Sequence, residues 1–384
     1  MKNDRALIGA VVFVQGRLLK RDGLLVLRDA DHEVQLVCSA DLPSEGSIVR
    51  ARGLWDGAAF QVEAVELLTV ALKNERPDHE ALQERTKNLR LRHQASRAVR
   101  RYFDEADFVE VETPLIVPSP GLDLHLDAFE VPYGDELRYL ITSPEYQMKR
   151  VLAGGLTRIY QLARCFRKGE IGARHEPEFT LIEWYRAFAG SADVMADTEQ
   201  LVAFVAQATL ETTVLPCGVD VAPPWPRRRV ADVFEEYAKV TVESVLPDEE
   251  RFFRLYVDEV EPQLGNDPFF LTHWPASMAS LARLLPEEPD VADRFEAYIG
   301  GLEISNGFGE LVDADEQRRR LMRDRKERSA AGLPAYPIDE RFVGALEEGI
   351  PPSGGNALGF DRLVMLLSGA SHIEDVLALP HRRL

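Results

Sequence analysis

The chain has 384 residues, of which 45% are hydrophobic and 28% are charged, and its formal net charge is −19. This composition excludes disordered and fibrous classes and indicates a globular protein with ample core. Three scattered cysteines, Cys38, Cys165 and Cys217, argue against a disulfide framework or a thiolate metal site. Because the chain shows neither a signal-peptide pattern nor a long apolar stretch, we expect a cytoplasmic protein without a membrane partner.

Short β-like runs separated by turn residues occupy the first part of the chain. Turn signals such as Asp22-Gly23 and Asp56-Gly57 lie between the runs. Five strands in so short a segment favour a small Greek-key barrel of the OB type. The sequence therefore predicts a barrel domain at residues 1–72 and a second, larger domain at residues 73–384. The predicted strands are residues 6–14, 24–27, 34–37, 46–52 and 59–68.

A long amphipathic helix is predicted from His79 to Phe103, after a linker at residues 74–77. Further along, an apolar strand end runs into Thr142-Ser143-Pro144-Glu145. This is a helix-start signal, because proline comes early and an acid lies in the first turn. Taken alone, the segment indicates no more than an ordinary N-cap.

Two alternating runs, at residues 158–166 and 179–185, flank a cluster of ions and glycines. The pattern predicts two antiparallel strands joined by a charged loop. This segment is the most informative of the chain, because the loop carries cations and the second strand carries carboxylates and aromatic side chains.

The cations of the predicted hairpin suit a polyphosphate. Arg167 lies on the first strand, with Arg174 and His175 on the loop, and arginine offers a planar fork of donors to phosphate oxygens. Glu183 and Tyr185 share a face of the second strand, since side chains repeat every two residues, and they offer a carboxylate to a cationic substrate. The alternative is a salt-bridged surface hairpin.

The segment at residues 295–310 places acids among apolar strand residues. A buried acid without a partner is costly, so this pattern implies an ion or a cationic ligand. Glu296 and Glu303 are candidates to bind a hard cation through oxygen. Asn306 and Glu310 follow at strand-like alternation and are expected to line one wall.

Residues 354–366 are typical of a glycine-rich strand followed by a helix that opens at Asp361. Glycine there lets a ligand approach the backbone, and Arg362 at the helix start can reach a phosphate. Residues 191–290 are expected to be mostly helical. Alternating strands and helices with antiparallel hairpins favour an α+β fold over a doubly wound parallel sheet.

Three segments, in their order along the chain, resemble motifs 1, 2 and 3 of the class II aminoacyl-tRNA synthetases, specifically the lysyl branch. They are residues 103–114, 164–185 and 354–366. The resemblance covers about residues 75–384. It implies an antiparallel sheet flanked by helices and a homodimer formed through motif 1.

Within that branch the chain is similar to the ligases that attach lysine or (R)-β-lysine to a lysine of elongation factor P. The similarity lies in residues 143–150, 183–186 and 328–337, and in Ala357, where lysyl-tRNA synthetases tend to have glycine. It implies a ligase that activates the amino acid with ATP and uses elongation factor P as its acceptor. A small lysyl-tRNA synthetase that charges tRNA is the alternative, and a catalytically inactive regulatory paralogue is a third.

The resemblance implies ATP and Mg²⁺ as cofactors and a role for each matching residue. Catalytic roles are implied for Arg167, Arg362 and Glu303. ATP binding is implied for Arg167, Glu170, His175, Phe179, Glu303, Ile304, Gly359 and Arg362. Lysine binding is implied for Ser143, Glu145, Glu183, Tyr185, Asn306 and Glu310. Metal binding is implied for Glu296 and Glu303.

Two features depart from the family pattern. Synthetases of this branch have an acid two positions after the motif 2 arginine, whereas Glu170 lies three positions after Arg167. They also carry a larger, anticodon-reading OB domain, which the ligases typically lack. The predicted barrel offers few aromatic residues for nucleic acid (Phe13, Trp55 and Phe60), which favours a vestigial or protein-binding module.

The net charge bears on the acceptor, because proteins that bind an RNA backbone normally do so through a basic surface. Two basic segments are present, at residues 85–101 and 318–328. Each is either a solvated helix face or a docking site for an acidic protein that mimics tRNA.

Overall fold

The computed structural model describes residues 8–29, 32–38, 41–72, 78–124 and 126–384, with residues 78–84 described by their backbone alone. The chain divides into two compact units, Met1–Thr86 and Lys87–Leu384. The domain boundary predicted after residue 72 stays a prediction, because residues 73–77 lie outside the described part.

The described residues of the first unit contain five strands, which close into a barrel in the order β1-β2-β3-β5-β4, as the sequence predicted. Their bounds are β1 (Val11–Arg21), β2 (Leu24–Arg28), β3 (Glu33–Val37), β4 (Ile48–Trp55) and β5 (Phe60–Thr69). Val49, Ala51, Trp55 and Phe60 are buried in the barrel core.

Strand β1 is longer than predicted, since it continues to Arg21 and does not end at Val14. It pairs first with β4 and then with β2, so one strand serves two neighbours. Gly16 lies where the partner changes, and a side chain there would overlap the backbone carbonyl of Arg28. Gly16 is thus a point of close backbone approach. Residues 6 and 7 of the predicted strand lie outside the described residues.

The long helix predicted from residue 79 is present, and the helices at the two other start signals begin within one residue of them. None of the described helices is both long enough and apolar enough to cross a membrane. The helix bounds are α1 (Asp78–Glu105), α2 (Glu145–Ala153), α3 (Ser191–Leu210), α4 (Val230–Val233), α5 (Val242–Val245), α6 (Glu249–Leu255), α7 (Ala314–Ala330), α8 (Glu340–Glu348) and α9 (Phe360–Ser368).

A large, mainly antiparallel sheet dominates the second unit. Its order among the described strands is β12-β13-β15-β16-β17-β11-β10-β6, with β14 beside β15, while β7, β9 and β8 form a separate small sheet. This is the α+β architecture expected from the sequence. The strand bounds are β6 (Val109–Glu110), β7 (Ile116–Val117), β8 (Glu130–Tyr133), β9 (Glu136–Leu140), β10 (Arg158–Phe166), β11 (Glu178–Ala187), β12 (Arg227–Arg229), β13 (Phe269–Pro275), β14 (Leu284–Leu285), β15 (Glu288–Ile299), β16 (Leu302–Gly309) and β17 (Ser353–Gly359).

The predicted charged hairpin is β10 and β11, which pair antiparallel along their whole length. The expectation that residues 191–290 are mostly helical holds for α3 to α6, but β12 lies between these helices, and β13 and β14 follow them. Strand β13 is buried almost throughout, because it lies inside the sheet. A short, continuous apolar run of this kind has no alternation that would distinguish a strand from a helix.

The two faces of the sheet pack against different helices. Trp184 of β11 belongs to the main core, together with residues of α3 and α9. Its neighbour Tyr185 belongs to a second cluster, together with residues of α2 and α8. The side chains that share a face with Tyr185 therefore lie between the sheet and α2, and these include the candidate site residues of β11.

Candidate active site

A row of aligned residues crosses four neighbouring strands of the sheet. Glu183 of β11 lies opposite Ala357 of β17, which lies opposite Asn306 of β16. Asn306 in turn lies opposite Glu296 of β15. Directly opposed residues of antiparallel strands point to the same face. One surface therefore carries candidate residues for lysine and for metal, with the small Ala357 between them.

A β-bulge in β16 brings a further acid to this face. Ala297 pairs with Ser305, but Tyr298 pairs with Glu303, so Ile304 is an extra residue without a partner. Glu303 consequently faces the same side as Tyr298. Tyr298 donates its hydroxyl to Glu296 Oε2 at 2.9 Å, so these two side chains lie on one face. Both candidate metal ligands, Glu296 and Glu303, therefore share that face.

Regular alternation would have placed Glu303 and Asn306 on opposite faces, because three positions separate them. The bulge removes this conflict. It also turns the side chain of Ile304 into the main core, where it is buried. Ile304, expected at the ATP site, can therefore contact a nucleotide only through its backbone.

Glu183 lies in a cluster of acidic side chains with Glu145 and Glu310, here called the acidic pocket. Ser143 donates its hydroxyl to Glu183 Oε2 at 2.8 Å, and Tyr185 donates its hydroxyl to Oε1 at 2.7 Å. Burial raises the pKa of Glu183 to about 8, with a further contribution from the negative charge of Glu145. At neutral pH Glu183 is therefore largely protonated, and a cationic ligand beside it would favour loss of the proton.

Lys149 joins two other acids of this pocket, and sequence reasoning missed it. Its Nζ lies 2.7 Å from Glu145 Oε1 and 2.5 Å from Glu310 Oε2. Lys149 and Glu310 are only 1% and 2% exposed. The four-residue spacing of Glu145 and Lys149 on α2 was the available signal, since such pairs meet on a helix surface.

Burial and neighbouring charges shift the pKa values of both Lys149 and Glu310. Burial raises the pKa of Glu310 to about 7, although the charge of Lys149 acts in the opposite direction. For Lys149, burial opposes the charged form, but the carboxylates of Glu145 and Glu310 outweigh it and raise the pKa above its usual value. The ammonium is therefore a permanent charge of the pocket.

Gly355 of β17 leaves room for these acids. It lies opposite Tyr185, and a side chain at this position would overlap both Glu310 Oε1 and the Tyr185 ring. The strand therefore needs glycine here for a packing reason that involves two pocket residues.

On the other side of Ala357, Arg362 at the start of α9 connects the candidate phosphate ligands. Its Nη2 donates to His175 Nε2 at 2.8 Å, and its Nη1 donates to the backbone carbonyl of Glu303 at 2.6 Å. The same Nη1 lies 3.7 Å from Glu303 Oε2. Burial and the charge of Arg362 lower the pKa of His175, so its ring is neutral and accepts the hydrogen bond.

Arg167 lies over the ring of Phe179, with 4.9 Å between its guanidinium carbon and the ring centroid. Its Nε is buried and has no hydrogen-bond partner among the described residues. Glu170 lies 3.7 Å from its Nη1. A buried donor without a partner is unusual in proteins, and this one is suited to an anionic ligand.

The loop between β10 and β11 is held against the C-terminal part of the chain. Ile373 donates its backbone N–H to the carbonyl of Ala173 at 2.8 Å, and His381 donates its backbone N–H to Glu176 Oε2 at 3.0 Å. These contacts position the loop beside Arg362, although the two segments are far apart in the sequence.

The two candidate metal ligands differ in their surroundings. Glu296 is buried; Arg294 donates to its Oε1 at 2.7 Å and Tyr298 to its Oε2 at 2.9 Å. Burial and the charge of Glu303 raise the pKa of Glu296 to about 7. The side chain of Glu303 is 40% exposed.

The described residues contain no cluster of three or more His, Cys, Asp or Glu side chains that could hold a metal ion by themselves. Mg²⁺ is commonly held by one or two carboxylates together with substrate phosphates. Glu303, with Glu296 behind it, fits a Mg²⁺ that arrives with a polyphosphate.

Two expected residues stand apart from these clusters. Asn306 accepts a hydrogen bond from Arg294 Nε at 3.3 Å and so connects to the metal candidate. Gly359 ends β17, and an added side chain there would meet only Arg362, at an ordinary 3.4 Å. Protein packing therefore does not require glycine at position 359.

Residues 70–383 match the family described as class II tRNA synthetases (D, K and N). The chain is 41% identical over 306 residues to the elongation factor P–(R)-β-lysine ligase of Proteus mirabilis (strain HI4320). The aligned region covers 73% of this chain and 91% of the relative. It is 39% identical over 316 residues to the ligase of the same name from Hamiltonella defensa subsp. Acyrthosiphon pisum (strain 5AT), covering 77% and 95%. A third such ligase, from Edwardsiella ictaluri (strain 93-146), is 40% identical over 296 residues, covering 73% and 90%.

Proposed function

We propose that this chain, which belongs to the class II tRNA synthetases (D, K and N), is an ATP-dependent ligase that activates lysine or (R)-β-lysine and transfers it to a lysine side chain of elongation factor P. The observation that carries the proposal is the acidic pocket of Glu183, Glu145 and Glu310, which shares one sheet face with the cluster of Arg167, Arg362 and His175. A diamine site thus lies beside a phosphate site.

In the proposed activation step, the lysine carboxylate attacks the α-phosphorus of ATP in line. A new P–O bond forms, and pyrophosphate leaves with the electron pair of the broken bond. Arg167, whose buried Nε has no partner among the described residues, stabilises the charge that develops on the α-phosphate. Arg362 and His175 bind the outer phosphates, and Phe179 stacks on the adenine with Glu170 and the backbone of Ile304 and Gly359 nearby.

Positioning and charge stabilisation account for most of what phosphoryl-group chemistry requires of a protein. Mg²⁺ bound with ATP would neutralise the phosphates and fix their geometry, and Glu303 and Glu296 are the residues that would hold it. Because Arg294 and Tyr298 already engage both oxygens of Glu296, Glu303 is the principal ligand of the two.

Lysine binding is assigned to Ser143, Glu145, Glu183, Tyr185, Asn306 and Glu310. In the transfer step, the deprotonated amine of the acceptor attacks the carbonyl carbon of the adenylate. An amide forms, AMP leaves, and the amine gives up a proton.

Charging of tRNA is the second candidate function. The N-terminal barrel favours it, since synthetases of this branch carry an OB domain, and the barrel lies outside the family match at residues 70–383. The aromatic side chains of the barrel do not favour binding of tRNA. Trp55 and Phe60 are buried in the barrel core, while Phe13 is 66% exposed. Nucleic-acid-binding OB barrels stack bases on exposed aromatic side chains. We therefore favour the protein acceptor.

The basic segment at residues 318–328 does not add a free cationic surface for RNA. Its arginines are largely paired with acids of α7, α8 and a neighbouring loop. The pairs are Arg318 with Glu340 and Glu347, Arg319 and Arg320 with Glu316, Arg323 with Asp324 and Glu327, and Arg328 with Asp127. This supports the interpretation as a solvated helix face.

A homodimer through motif 1 is part of the proposal. Strand β6 is an edge strand of the large sheet. Val109 on it is 47% exposed, and the nearby Leu115 and Ile116 are 37% and 47% exposed. Apolar side chains beside an unpaired strand edge are typical of an interface.

The test is to incubate the purified chain with ATP, Mg²⁺ and labelled lysine or (R)-β-lysine, and to offer elongation factor P and lysine tRNA in parallel. Label on elongation factor P alone is the expected result. Label on tRNA alone would replace the proposal by the second function, and no adenylate with either amino acid would contradict both. Elongation factor P with its acceptor lysine replaced by arginine is the matched control.

A further inference from the structure

The acidic pocket contains three carboxylates and one ammonium among its described residues. Glu183, Glu145 and Glu310 carry the acids, and Lys149 carries the cation. Lys149 forms ion pairs with one oxygen of Glu145 and one of Glu310, and both buried carboxylate oxygens of Glu310 lack a hydrogen-bond partner of regular geometry in the described part of the chain. Such acceptors are suited to a further ammonium group.

We propose that Lys149 is a positioning and specificity residue, which orients Glu145 and Glu310 and favours the ionised form of Glu310, so that the pocket accepts amino acids with two ammonium groups. The inference rests on the proposed function and names the substrate class of that site. When all three carboxylates are ionised, the one internal ammonium leaves two uncompensated negative charges. Lysine and β-lysine each bring two ammonium groups that match these charges, while their carboxylate lies at the phosphate cluster.

Other charged groups also lie around Glu310. Asp293 of β15 is a further acid that acts on Glu310, and its carboxylate is compensated by Arg283 at 2.8 Å. Helix α8 contributes the ring of Phe342, 6.0 Å from Lys149 Nζ, and β11 contributes Glu183 and the hydroxyl of Tyr185. Lys149 is thus the cation that forms an ion pair with Glu310 among the described residues.

The position of Lys149 explains why it orients and does not bind substrate. Its Nζ is enclosed between an acid one turn earlier on α2 and an acid that follows β16. A substrate ammonium reaches the far oxygen of Glu310, and Lys149 holds the near one. Without Lys149, Glu145 and Glu310 would lack a common counter-ion, and Glu310 would take up a proton more readily.

The experiment measures the affinity for lysine and β-lysine by calorimetry as a function of pH, for the wild type, Lys149→Met and Lys149→Arg. In the wild type we expect the affinity to rise through pH 7 to 8, as Glu310 and Glu183 lose protons with pKa values of about 7 and about 8. In Lys149→Met the rise should move at least about one pH unit higher, which weakens binding about tenfold near neutrality. Lys149→Arg should restore most of the wild-type profile.

Arg150→Met is the matched control, because it removes a cation from the next position of α2, where the side chain is exposed. It should leave the profile unchanged, and ATP affinity should be unaffected in every variant. If Lys149→Met weakens lysine equally at all pH values, or leaves binding unchanged, Lys149 has no such role and the inference is overturned.

If Lys149→Met does not fold, the double variant Lys149→Met, Glu145→Gln carries the same test, since it buries one acid fewer and still leaves Glu310 without a cation. The same alkaline shift is expected, and an unshifted profile overturns the inference. Failure of the proposed function is distinguishable, because it appears as absence of lysine and β-lysine binding in the wild type itself.

Discussion

The side chains of Arg362 and His175 form a hydrogen bond of 2.8 Å although 187 positions separate them in the chain. Arginine can only donate, so His175 Nε2 is the acceptor and the ring proton lies on Nδ1. The contact joins the loop of the β10–β11 hairpin to the start of α9. It places the two candidate phosphate ligands side by side before any nucleotide is bound.

Replacement of His175 should weaken ATP binding through the loss of this contact. We expect His175→Ala to raise the KM for ATP about tenfold to hundredfold, as for the loss of one hydrogen bond to a charged group. His175→Gln, whose amide oxygen can still accept, should be closer to the wild type. The check is pyrophosphate exchange at varied ATP, with the exposed His93 of α1 as control in His93→Ala. Equal KM values for all three variants would contradict the assignment.

Removal of Arg167 should abolish activation without unfolding the chain. Arg167→Met keeps the stack on Phe179 but loses the donor to the α-phosphate, and comparable losses of transition-state donors cost about 10² to 10³ in kcat. Arg164→Met is the control, since Arg164 lies on β10 and pairs with Glu178 on an exposed surface. Arg167 directly follows the end of β10 and does not lie on it, contrary to the sequence prediction. Adenylate formation is the measurement. A similar loss in both variants would mean that the strand, and not the donor, is responsible.

The buried Glu183 should make stability depend on pH. Its pKa is raised from 4.5 to about 8, so the folded protein binds the proton more tightly than the unfolded chain. This contribution to stability is complete below pH 4.5 and is lost as the pH rises through about 8. The slope is at most about 1.4 kcal/mol per pH unit.

Glu183→Gln should remove this part of the pH dependence and gain relative stability at alkaline pH. Denaturant unfolding between about pH 5 and about pH 9 measures it. Glu178→Gln, an exposed position of the same strand, should retain the wild-type slope. An unchanged slope in Glu183→Gln would show that its carboxyl does not titrate in this range.

Two glycines of β17 should respond differently to alanine. Gly355→Ala places a methyl group against Glu310 and Tyr185, so we expect lysine affinity to fall together with stability, by about 1–3 kcal/mol for an overpacked site. Gly359→Ala meets only Arg362 at 3.4 Å and should fold normally. If ATP lies against the backbone at Gly359, that variant raises the KM for ATP alone. Thermal unfolding and substrate titrations of both variants separate the two effects.

The proposed dimer can be tested at the exposed edge. Ile116→Asp puts a charge into the apolar surface beside β6 and should yield a monomer in light scattering, since an unpaired charge is costly in an interface. Glu136→Lys, an exposed change on the neighbouring β9, is the control and should leave the oligomeric state unchanged. A wild type that is already monomeric contradicts the dimer directly.

Local patterns in the sequence were sufficient for the hairpin, the long helix and the barrel. The alternation of β10 and β11 and the start signals of α2 and α9 are properties of neighbouring residues, so they are readable without knowledge of the rest of the chain. The same alternation placed Glu183 and Tyr185 on one face. Strand β13 carries no such alternation, because it is buried on both faces.

The tertiary structure decided what these elements do together. The extra residue Ile304, which carries Glu303 and Asn306 to one face, is visible only from the pairing of β16 with β15. The insertion of Lys149 between Glu145 and Glu310 depends on how α2 lies on the sheet. Sequence periodicity reports which way a side chain points along its own element, whereas register and long-range contacts are set by pairing and packing between elements distant in the chain.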